Sequence, residues 1–511
     1  MLARVLSASV VGIDAYVVQV EADIASGLPQ FATVGLPDAA VKESRDRVLA
    51  AVRNSGFHFP HRRVTINLAP ADRKKEGSAF DLPISIGILV ATEQVELHRP
   101  EQAILLGELS LDGILRPVHG VLPIALAAIR EGIEAVIVPR SNAREAAIVQ
   151  GLKVWPADSL REAVTILESD GEPPAFSVDM QQAFRQAAAY EVDFADVKGQ
   201  QNVKRSLEVA AAGGHNILML GPPGSGKTML ARRLPTVLPA MTLEEALETT
   251  KIHSVAGLLK TDEAIIATRP FRSPHHTISD AGLIGGGAYP RPGEVSLAHN
   301  GVLFLDELPE FRKNVLEVMR QPMEDGTVTI SRAATALTYP ARFMLAAAMN
   351  PCPCGYFGDP HHECTCSPPQ IQRYLYKISG PLLDRIDIHV EVASLPYDHM
   401  IKAPTGETSE VVRERVNRAR DVQLARFKDK QGLYCNAHMQ SKHIRKYCKL
   451  EPGADAIIDA AIRRLGFSAR AYDRILKVAR TIADIEGADL IGAAHLAEAI
   501  QYRSLDRSYW S

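Results

Sequence analysis

The sequence predicts an α/β protein with a helical C-terminal part. Residues 191–395 alternate short apolar runs, typical of buried strands, with stretches of helical spacing. From residue 396 onward the chain is charged and keeps a helical period, as in Val411–Lys428. Within the central part a glycine-rich loop joins a strand to a helix, which is the usual setting of a phosphate-binding turn.

The N-terminal part is predicted to form a separate domain of mixed α and β structure. Strand-like runs such as Val64–Leu68 alternate there with helix-like runs such as Ala39–Ser55. This pattern stops at the proline- and glycine-rich segment 170–174. We therefore predict a domain over 1–165, a linker over 166–190, a core domain over 191–395 and a helical domain over 396–511.

The composition is that of a globular protein. Hydrophobic residues make up 46% and charged residues 23% of the 511, which excludes a disordered or fibrous chain. The 57 Lys and Arg are balanced by 60 Asp and Glu, for a net charge of −3. That balance excludes a protein that coats nucleic acid by bulk charge, but it permits binding through a few local cations. An aromatic content of 6% argues against binding mainly by base stacking.

The sequence predicts a cytoplasmic protein without membrane contact. No run of apolar residues is long enough to span a bilayer. Arg4 and the apolar run after it superficially suggest a signal peptide, but alternation on both sides of Gly12 favours a β-hairpin. Four of the six cysteines lie within 15 residues, which indicates a local site in a reduced compartment rather than a disulfide framework.

The glycine-rich loop has the pattern of a phosphate-binding loop. It follows the apolar strand 217–220 and leads into a helix. Glycines let backbone N–H groups converge on phosphates, and the helix N-terminus adds positive potential. Lys227 is expected to reach the β- and γ-phosphates of ATP, and the Thr228 hydroxyl to ligate Mg²⁺. The predicted nucleotide-binding residues are Gly221, Pro222, Pro223, Gly224, Ser225, Gly226, Lys227 and Thr228.

Two further apolar strands end in polar residues suited to ATP hydrolysis. One ends in Asp306, expected in the Mg²⁺ shell, and Glu307, expected to polarise the attacking water as general base. The other ends at Asn350, which is suited to orient water near the γ-phosphate. Arg385 follows, and its spacing fits a contact to ATP and an ordinary salt bridge equally well.

A cysteine cluster comes directly after Asn350. Two cysteine pairs flank nine residues that include His361 and His362. Two pairs of thiols brought together by a short loop can close a tetrahedral Zn²⁺ site, in which either histidine can replace a cysteine. Four free thiols on a loop are the alternative, at the risk of oxidation. The predicted zinc ligands are Cys352, Cys354, Cys364 and Cys366.

Together these motifs resemble the AAA+ ATPases of the magnesium-chelatase/MCM branch. The resemblance rests on Gly221–Thr228, Gly301–Glu307, Asn350, Leu382–Arg385 and Ser468–Arg470. More specifically, Phe194–Gln200 with Ala210–Thr228, Arg269–Ser279 and the Cys-Pro-Cys-Gly run at 352–355 resemble the YifB/ComM family, and the likeness covers essentially the whole chain.

The resemblance implies an active site between the subunits of a hexameric ring. It implies that Arg385 is an arginine finger reaching a neighbour's ATP, an interaction worth roughly 10³–10⁵ in rate. Asn350 matches the first sensor residue of such ATPases, and Arg470 matches the second. An ordinary cation at a helix start is the other interpretation of Arg470, at a position where the helix dipole disfavours positive charge.

Residues 1–165 resemble the Lon-protease-like domain, which has an α+β fold of the ribosomal-protein S5 type. Active Lon-type sites need a Ser–Lys dyad. Here Ser78 lies near the nucleophile position, and Leu122 occupies the position of the lysine. We therefore predict a non-proteolytic interaction or DNA-binding domain. The basic stretch between Arg53 and Lys75 fits a nucleic-acid face or a solvated surface.

Two hairpins are expected to carry DNA-binding cations. In the MCM-like branch two hairpins protrude into the pore of the ring. Here the strand-like runs 327–330 and 335–339 place Arg332 at a hairpin tip, and the loop Gly285–Gly293 presents Arg291. Six copies in a ring would surround a strand with tiers of cations. Plain surface turns are the alternative.

The predicted function is that of a hexameric, ATP-driven DNA translocase or helicase. The resemblance implies single-stranded and branched DNA as partners, and branch migration of recombination intermediates during natural transformation. A magnesium-chelatase-type motor acting on a protein or porphyrin partner is the first alternative. A protein-remodelling or proteolytic machine is the second, against which Leu122 argues. ATP hydrolysis stimulated by DNA distinguishes the first function from both others.

Overall fold

The chain folds into two compact units. A computed structural model describes residues 1–98, 103–169, 171–260, 263–287, 290–332, 335–394, 406–430, 432–465 and 469–505. The first unit comprises Met1–Ala188 and Leu243–Ala267, and the second comprises Ala189–Thr242 and Thr268–Ser511. Both combine sheets with helices, so the α/β class predicted from the sequence is confirmed.

The first unit is built on a seven-stranded sheet of order β3-β4-β2-β1-β5-β8-β9. The strands are β1 Leu2–Val11, β2 Asp14–Ala25, β3 Gln30–Val34, β4 Arg63–Ala69, β5 Ala103–Leu105, β6 Glu108–Leu109, β7 Leu115–Arg116, β8 Ala135–Pro139 and β9 Lys153–Ala157. The helices are α1 Ala39–Asn54, α2 Asp81–Ala91, α3 Val121–Arg130, α4 Ala143–Ala146, α5 Leu160–Leu167 and α6 Met180–Ala187.

The N-terminal run forms a hairpin rather than a helix. β1 pairs antiparallel with β2 from Leu2 opposite Asp23 to Val11 opposite Asp14. Gly12 stands in the turn at φ +64°, where a residue without a Cβ is favoured. The hairpin predicted from the alternating pattern is confirmed.

The segment predicted as a linker is ordered against the first unit. The first unit extends through it as far as Ala188. The backbone N–H of Phe176 donates to the carbonyl of Val154 at 2.8 Å, so the chain runs along β9 before it enters α6. The prolines and glycines near 171–174 therefore mark the end of the helical pattern of α5, while the unit continues beyond them.

The second unit carries a five-stranded parallel sheet of order β11-β14-β17-β10-β18. The strands are β10 Ile217–Leu220, β11 Phe271–Arg272, β12 Gly285–Gly286, β13 Arg291–Pro292, β14 Val302–Leu305, β15 Thr327–Arg332, β16 Thr335–Pro340, β17 Met344–Met349 and β18 Ile388–Glu391. The helices of this unit up to β18 are α7 Gln201–Gly213, α8 Lys227–Val237, α10 Asp280–Ile284, α11 Glu294–Leu297, α12 Lys313–Val318, α13 Arg320–Asp325, α14 Pro368–Leu375 and α15 Gly380–Leu383. The helix α9 Leu243–Ala256, which follows α8 in the sequence, belongs to the first unit.

The parallel sheet brings the ends of three strands to one edge. β10, β14 and β17 are buried along their whole length, as expected of parallel strands covered on both faces. Because β17 pairs with both β10 and β14, the carboxyl ends of all three lie side by side. Ligands of open parallel sheets bind beyond these ends.

The C-terminal helices share the core of the second unit. They are α16 Ser409–Phe427, α17 Ser441–Tyr447, α18 Asp455–Leu465, α19 Ala469–Glu486 and α20 Ala493–Gln501. Val416 of α16 and Ile475 of α19 lie in one buried cluster with Leu207 of α7. Among the described residues no helix combines the length and the apolar character that a bilayer crossing requires.

One helix of the predicted core domain belongs instead to the first unit. α9 lies between α8 and β11 in the sequence, yet it packs on α3. The carbonyl of Ser254 accepts the N–H of Gly120 at 3.2 Å, and Lys251 Nζ lies 3.3 Å from Asp14 Oδ1. The Ser254 hydroxyl donates to the Glu145 carboxylate, whose pKa is raised by burial.

Candidate nucleotide-binding site

The phosphate loop needs glycine at three positions. Gly224 and Gly226 have φ of +75° and +90°, in the left-handed region that L side chains rarely adopt. A Cβ on Gly221 would lie 2.2 Å from the carbonyl oxygen of Val392, so no side chain fits there. The loop connects β10 to the N-terminus of α8, where backbone N–H groups are available to an anion.

Lys227 is held inside this loop. Its Nζ donates to the carbonyls of Gly221 and Pro222, both at 2.8 Å, and to Asn350 Oδ1 at 3.2 Å. Burial lowers the pKa of Lys227, while Asp306 and Glu307 act in the opposite direction. These hydrogen-bond acceptors are neutral, and an anionic phosphate is a stronger partner for an ammonium group.

Thr228 and Asp306 lie together at the end of β14. The Thr228 hydroxyl donates to Asp306 Oδ2 at 2.7 Å. A hydroxyl and a carboxylate at the phosphate loop form a hard oxygen donor set, which is what Mg²⁺ prefers. The two predicted magnesium residues are therefore in direct contact, and their chemistry fits the ion.

Glu307 adopts a strained backbone and contacts His276, a residue without a predicted role. Its φ is +53°, which is uncommon for a residue with a side chain and typical of functional sites. Its Oε2 lies 3.3 Å from Nδ1 of His276. The ring of His276 meets Phe311 edge to face at 6.4 Å. In the sequence His276 is visible only as the second of two adjacent histidines after a short strand. Its contact with Glu307 depends on the pairing of β11 with β14 in the sheet.

Arg385 and Arg470 have separate partners, although Arg470 pairs with the residue that precedes Arg385 in the sequence. Arg385 donates to the carbonyl of Pro381 at 2.6 Å and pairs with the Glu324 carboxylate. Arg470 is 74% exposed, and its Nη1 lies 3.4 Å from Oδ2 of Asp384. Neither arginine shares a hydrogen-bond or ion-pair partner with Lys227 among these contacts. The finger and sensor roles stay predictions.

The two predicted hairpins are side by side. β15 pairs antiparallel with β16, from Thr327 opposite Pro340 to Arg332 opposite Thr335, and β12 pairs with β13. The Tyr339 hydroxyl donates to the carbonyl of Pro290 at 2.5 Å and so joins the two hairpins. Arg291 is exposed. The side chain of Arg332 and residues 333–334 lie outside the described part of the chain.

The four clustered cysteines converge. All four Sγ atoms lie within 4.8 Å of one another. Cys352 Sγ lies 3.3 Å from that of Cys354 and 3.7 Å from that of Cys364, and the Cys354 and Cys364 sulfurs are 3.6 Å apart. A tetrahedron with Zn–S bonds of about 2.3 Å separates its sulfurs by about 3.8 Å, whereas a disulfide needs about 2.05 Å. The spacing fits a metal.

The four cysteines differ in how readily they ionise. A hydrogen bond from the N–H of Tyr356 lowers the pKa of Cys354 to about 5, which favours the thiolate that binds metals, while burial and hydrogen bonds to the other cysteines raise the pKa of Cys364 and Cys366. His362 stacks on Tyr356 with ring centroids 4.7 Å apart. The four sulfurs thus come together without a histidine among them.

The residues at the Lon-type positions have structural partners. The Ser78 hydroxyl donates to the Glu108 carboxylate. Leu122 is fully buried, and its N–H donates to Glu145 Oε1 at 2.9 Å. Lys75, counted in the basic stretch, is also fully buried, so this cation contributes nothing to an exposed nucleic-acid face.

Comparison with known families and proteins covers nearly the full chain. The model of "Magnesium chelatase, subunit ChlI" matches residues 193–400, and that of its C-terminal part matches residues 406–503. The model of "Subunit ChlI of Mg-chelatase" matches residues 20–142. Competence protein ComM of Haemophilus influenzae is 46% identical over 510 residues, which is 99% of this chain and 98% of ComM. This chain belongs to the YifB/ComM family of magnesium-chelatase-like AAA+ proteins.

Two more relatives match this chain, one over nearly its full length and one over part of it. The YifB protein of Escherichia coli is 45% identical over 511 residues, 99% of this chain and 98% of YifB. Lon protease 2 of Bacillus subtilis is 32% identical over 154 residues, 27% of this chain and 26% of the protease. Membership of the YifB/ComM family implies ATP and Mg²⁺ as ligands, which the residues around Lys227 and Asp306 fit.

Proposed function

We propose that this YifB/ComM-family protein is an ATPase that works as a hexameric ring, moves along DNA and promotes branch migration of recombination intermediates in natural transformation. The observation that carries the proposal is the convergence of Lys227, Thr228, Asp306 and Asn350 at the carboxyl ends of three parallel strands. Each of these contacts joins residues far apart in the sequence.

The chemistry follows from the groups at this edge of the sheet. Lys227 exchanges the carbonyls of its own loop for the β- and γ-phosphates of ATP. Thr228 and Asp306 would hold Mg²⁺, and the bound ion would neutralise developing phosphate charge. Glu307 takes a proton from the attacking water, and Asn350 orients that water.

In the proposed ring Arg385 acts on the ATP of a neighbouring subunit. Its guanidinium pairs with Glu324 in the single chain. A triphosphate carries more negative charge than one carboxylate and therefore competes well for the guanidinium. Arg470, exposed beside Asp384, serves as the second sensor.

The proposed DNA contacts lie on the joined hairpins. Arg291 stands at the start of β13 and Arg332 at the end of β15, and Tyr339 ties the hairpins together through Pro290. Repetition around a ring would concentrate positive charge at one level of a pore. This explains how a chain of net charge −3 binds single-stranded and branched DNA.

Glu307→Gln tests the motor directly, with Glu310→Gln as a matched control. Glu310 is a nearby exposed acid whose partner is Lys377. We expect the wild type to hydrolyse ATP faster with DNA and to unwind forked and three-stranded substrates. Glu307→Gln should bind nucleotide but lose about 10²–10⁴ in turnover, while Glu310→Gln stays active. Normal turnover in Glu307→Gln overturns the assignment of the general base.

Arg332→Ala tests the DNA contact, with the exposed Arg445 of α17 as control. Loss of one phosphate contact should lower DNA affinity and reduce the slope of log affinity against log salt by about 0.7 per arginine on single strands. Arg445→Ala should leave both unchanged. An unaltered slope and unaltered unwinding for Arg332→Ala would show that this tip does not touch DNA.

A magnesium-chelatase-type motor is the second candidate, favoured by the family model that matches residues 193–400. Such a motor hydrolyses ATP on a protein or porphyrin partner, so its rate is indifferent to DNA. Hydrolysis that DNA does not accelerate would select this candidate.

Zn²⁺ bound by Cys352, Cys354, Cys364 and Cys366 completes the proposal. Elemental analysis of the purified chain should find one zinc per protomer, and Cys364→Ser should lose it. Metal-free wild type would leave the four residues as free thiols.

A further inference from the structure

The cysteine loop, Cys352–Cys366, lies against the phosphate loop. It begins two residues after Asn350, whose Oδ1 accepts a hydrogen bond from Lys227 at 3.2 Å. One end of the cysteine loop is therefore fixed to the strand end that contacts the phosphate-binding lysine. The other end leads into α14, at whose start the N–H of Ser367 donates to Gln370 Oε1 at 2.8 Å.

A second contact joins the two loops through a glycine. Gly355 is buried, with φ at +91°. A Cβ on this residue would lie 2.5 Å from Cδ and 2.7 Å from Cγ of Pro223. The backbone of the cysteine loop thus rests directly on the ring of Pro223, inside the phosphate loop.

The turn that makes this contact is bounded by cysteines. The N–H of Gly355 donates to the carbonyl of Cys352 at 3.0 Å, and Cys354 precedes the glycine. Both residues are in the four-sulfur cluster. Any group that fixes these sulfurs also fixes the peptide that lies on Pro223.

We infer that a thiolate-binding divalent cation such as Zn²⁺ at the four cysteines supports the phosphate loop, so that metal occupancy sets the affinity for ATP. The inference rests on the proposed ATPase function. Without the metal the converging sulfurs are held by weak hydrogen bonds, from backbone N–H groups and from one another, and thiolates repel one another. With it, four bonds of fixed geometry hold the turn.

Two glycines of the cysteine loop provide a matched test. Gly358 has φ of +79°, and a Cβ there meets nothing within 4 Å. Alanine at either position therefore introduces a similar backbone strain, but only the Cβ of Gly355→Ala clashes with the ring of Pro223. We expect Gly355→Ala to keep one zinc per chain and to weaken binding of a fluorescent ATP analogue by about tenfold or more. Gly358→Ala should keep both the metal and the affinity.

Cys366→Ser tests the metal itself. The full-length variant should lose zinc and bind the ATP analogue more weakly, by a factor similar to that of Gly355→Ala, while its circular dichroism and thermal unfolding remain close to wild type. If it unfolds, wild-type protein stripped of zinc by a chelator takes its place in the binding measurement. Wild-type affinity in Gly355→Ala, or in folded and zinc-free Cys366→Ser, overturns the inference. A wild type that binds no ATP at all instead refutes the proposed function.

Discussion

Two buried lysines, one in each unit, have similar surroundings but different expected roles, phosphate binding for Lys227 and loop stabilisation for Lys75. Lys227 and Lys75 both donate to carbonyls of their own loops, and burial lowers the pKa of both. Lys227 also contacts Asn350 and lies near Asp306, at the start of a helix. Burial and a lowered pKa therefore do not mark a catalytic lysine. The surrounding glycines, carboxylates and helix terminus do.

The strongest test of this comparison is the pair Lys227→Ala and Lys75→Ala. The first should abolish ATP binding and hydrolysis in a folded protein, because it removes the ammonium group expected to bind the β- and γ-phosphates. The second should leave hydrolysis unchanged but cost about 1–3 kcal/mol of stability, since it strands buried carbonyls. Nucleotide titration and thermal unfolding measure the two effects. ATP hydrolysis by Lys227→Ala would break the comparison.

Arg385→Ala should have the next largest effect. Hydrolysis should fall by about 10³–10⁵ with nucleotide affinity close to wild type, because a finger acts mainly in the transition state. Steady-state kinetics and equilibrium binding of the ATP analogue separate the two. Glu324→Gln, which removes the partner of Arg385 in the single chain, is the control and should retain turnover. Equal loss in both variants would instead indicate a structural salt bridge.

His276→Ala should have a moderate effect. His276 orients the Glu307 carboxylate, so we expect kcat to fall by about tenfold with KM nearly unchanged. His276→Gln, which can still donate to the carboxylate, should recover part of the loss. A change in KM without a change in kcat would show that His276 does not position the general base Glu307.

The smallest effect on activity is expected in the first unit, at Asp81. Burial raises the pKa of Asp81 to about 6, although Arg47 opposes the shift. The folded state therefore binds the extra proton between about pH 4 and pH 6, and stability should fall by about 3 kcal/mol as pH rises through that window. Asp81→Asn should flatten this slope and leave hydrolysis unchanged. Denaturation followed by Trp155 fluorescence in a Trp510→Phe background measures it.

Local motifs were predictable from the sequence, and long-range pairings were not. The phosphate loop, the strand before Asp306 and the N-terminal hairpin depend on neighbouring residues, so spacing and periodicity identify them. The contact between His276 and Glu307 depends on the order of strands in the sheet. The burial of Lys75 depends on a loop folding back on its own carbonyls.

The convergence of the cysteines could be predicted from local spacing, whereas the position of α9 depends on a long-range contact. The spacing of Cys352, Cys354, Cys364 and Cys366 predicted their convergence, because a short loop limits how far apart they can lie. The contact of Gly355 with Pro223 joins residues more than a hundred positions apart and has no local signal. Sequence order put α9 in the core domain predicted over 191–395, but the helix packs on α3 in the first unit. Its contact with α3 also joins residues more than a hundred positions apart and has no local signal.

The segment that contains α9 belongs to the first unit but interrupts the sequence of the second, and this order affects folding during biosynthesis. The chain passes between the two units after Ala188, after Thr242 and after Ala267. The first unit therefore cannot complete its packing on the ribosome when its N-terminal residues emerge. It must wait until Ala267 has left the exit tunnel, by which time the phosphate loop and α8 have already been made. The first unit is therefore completed only after part of the second has been synthesised, although it begins at residue 1.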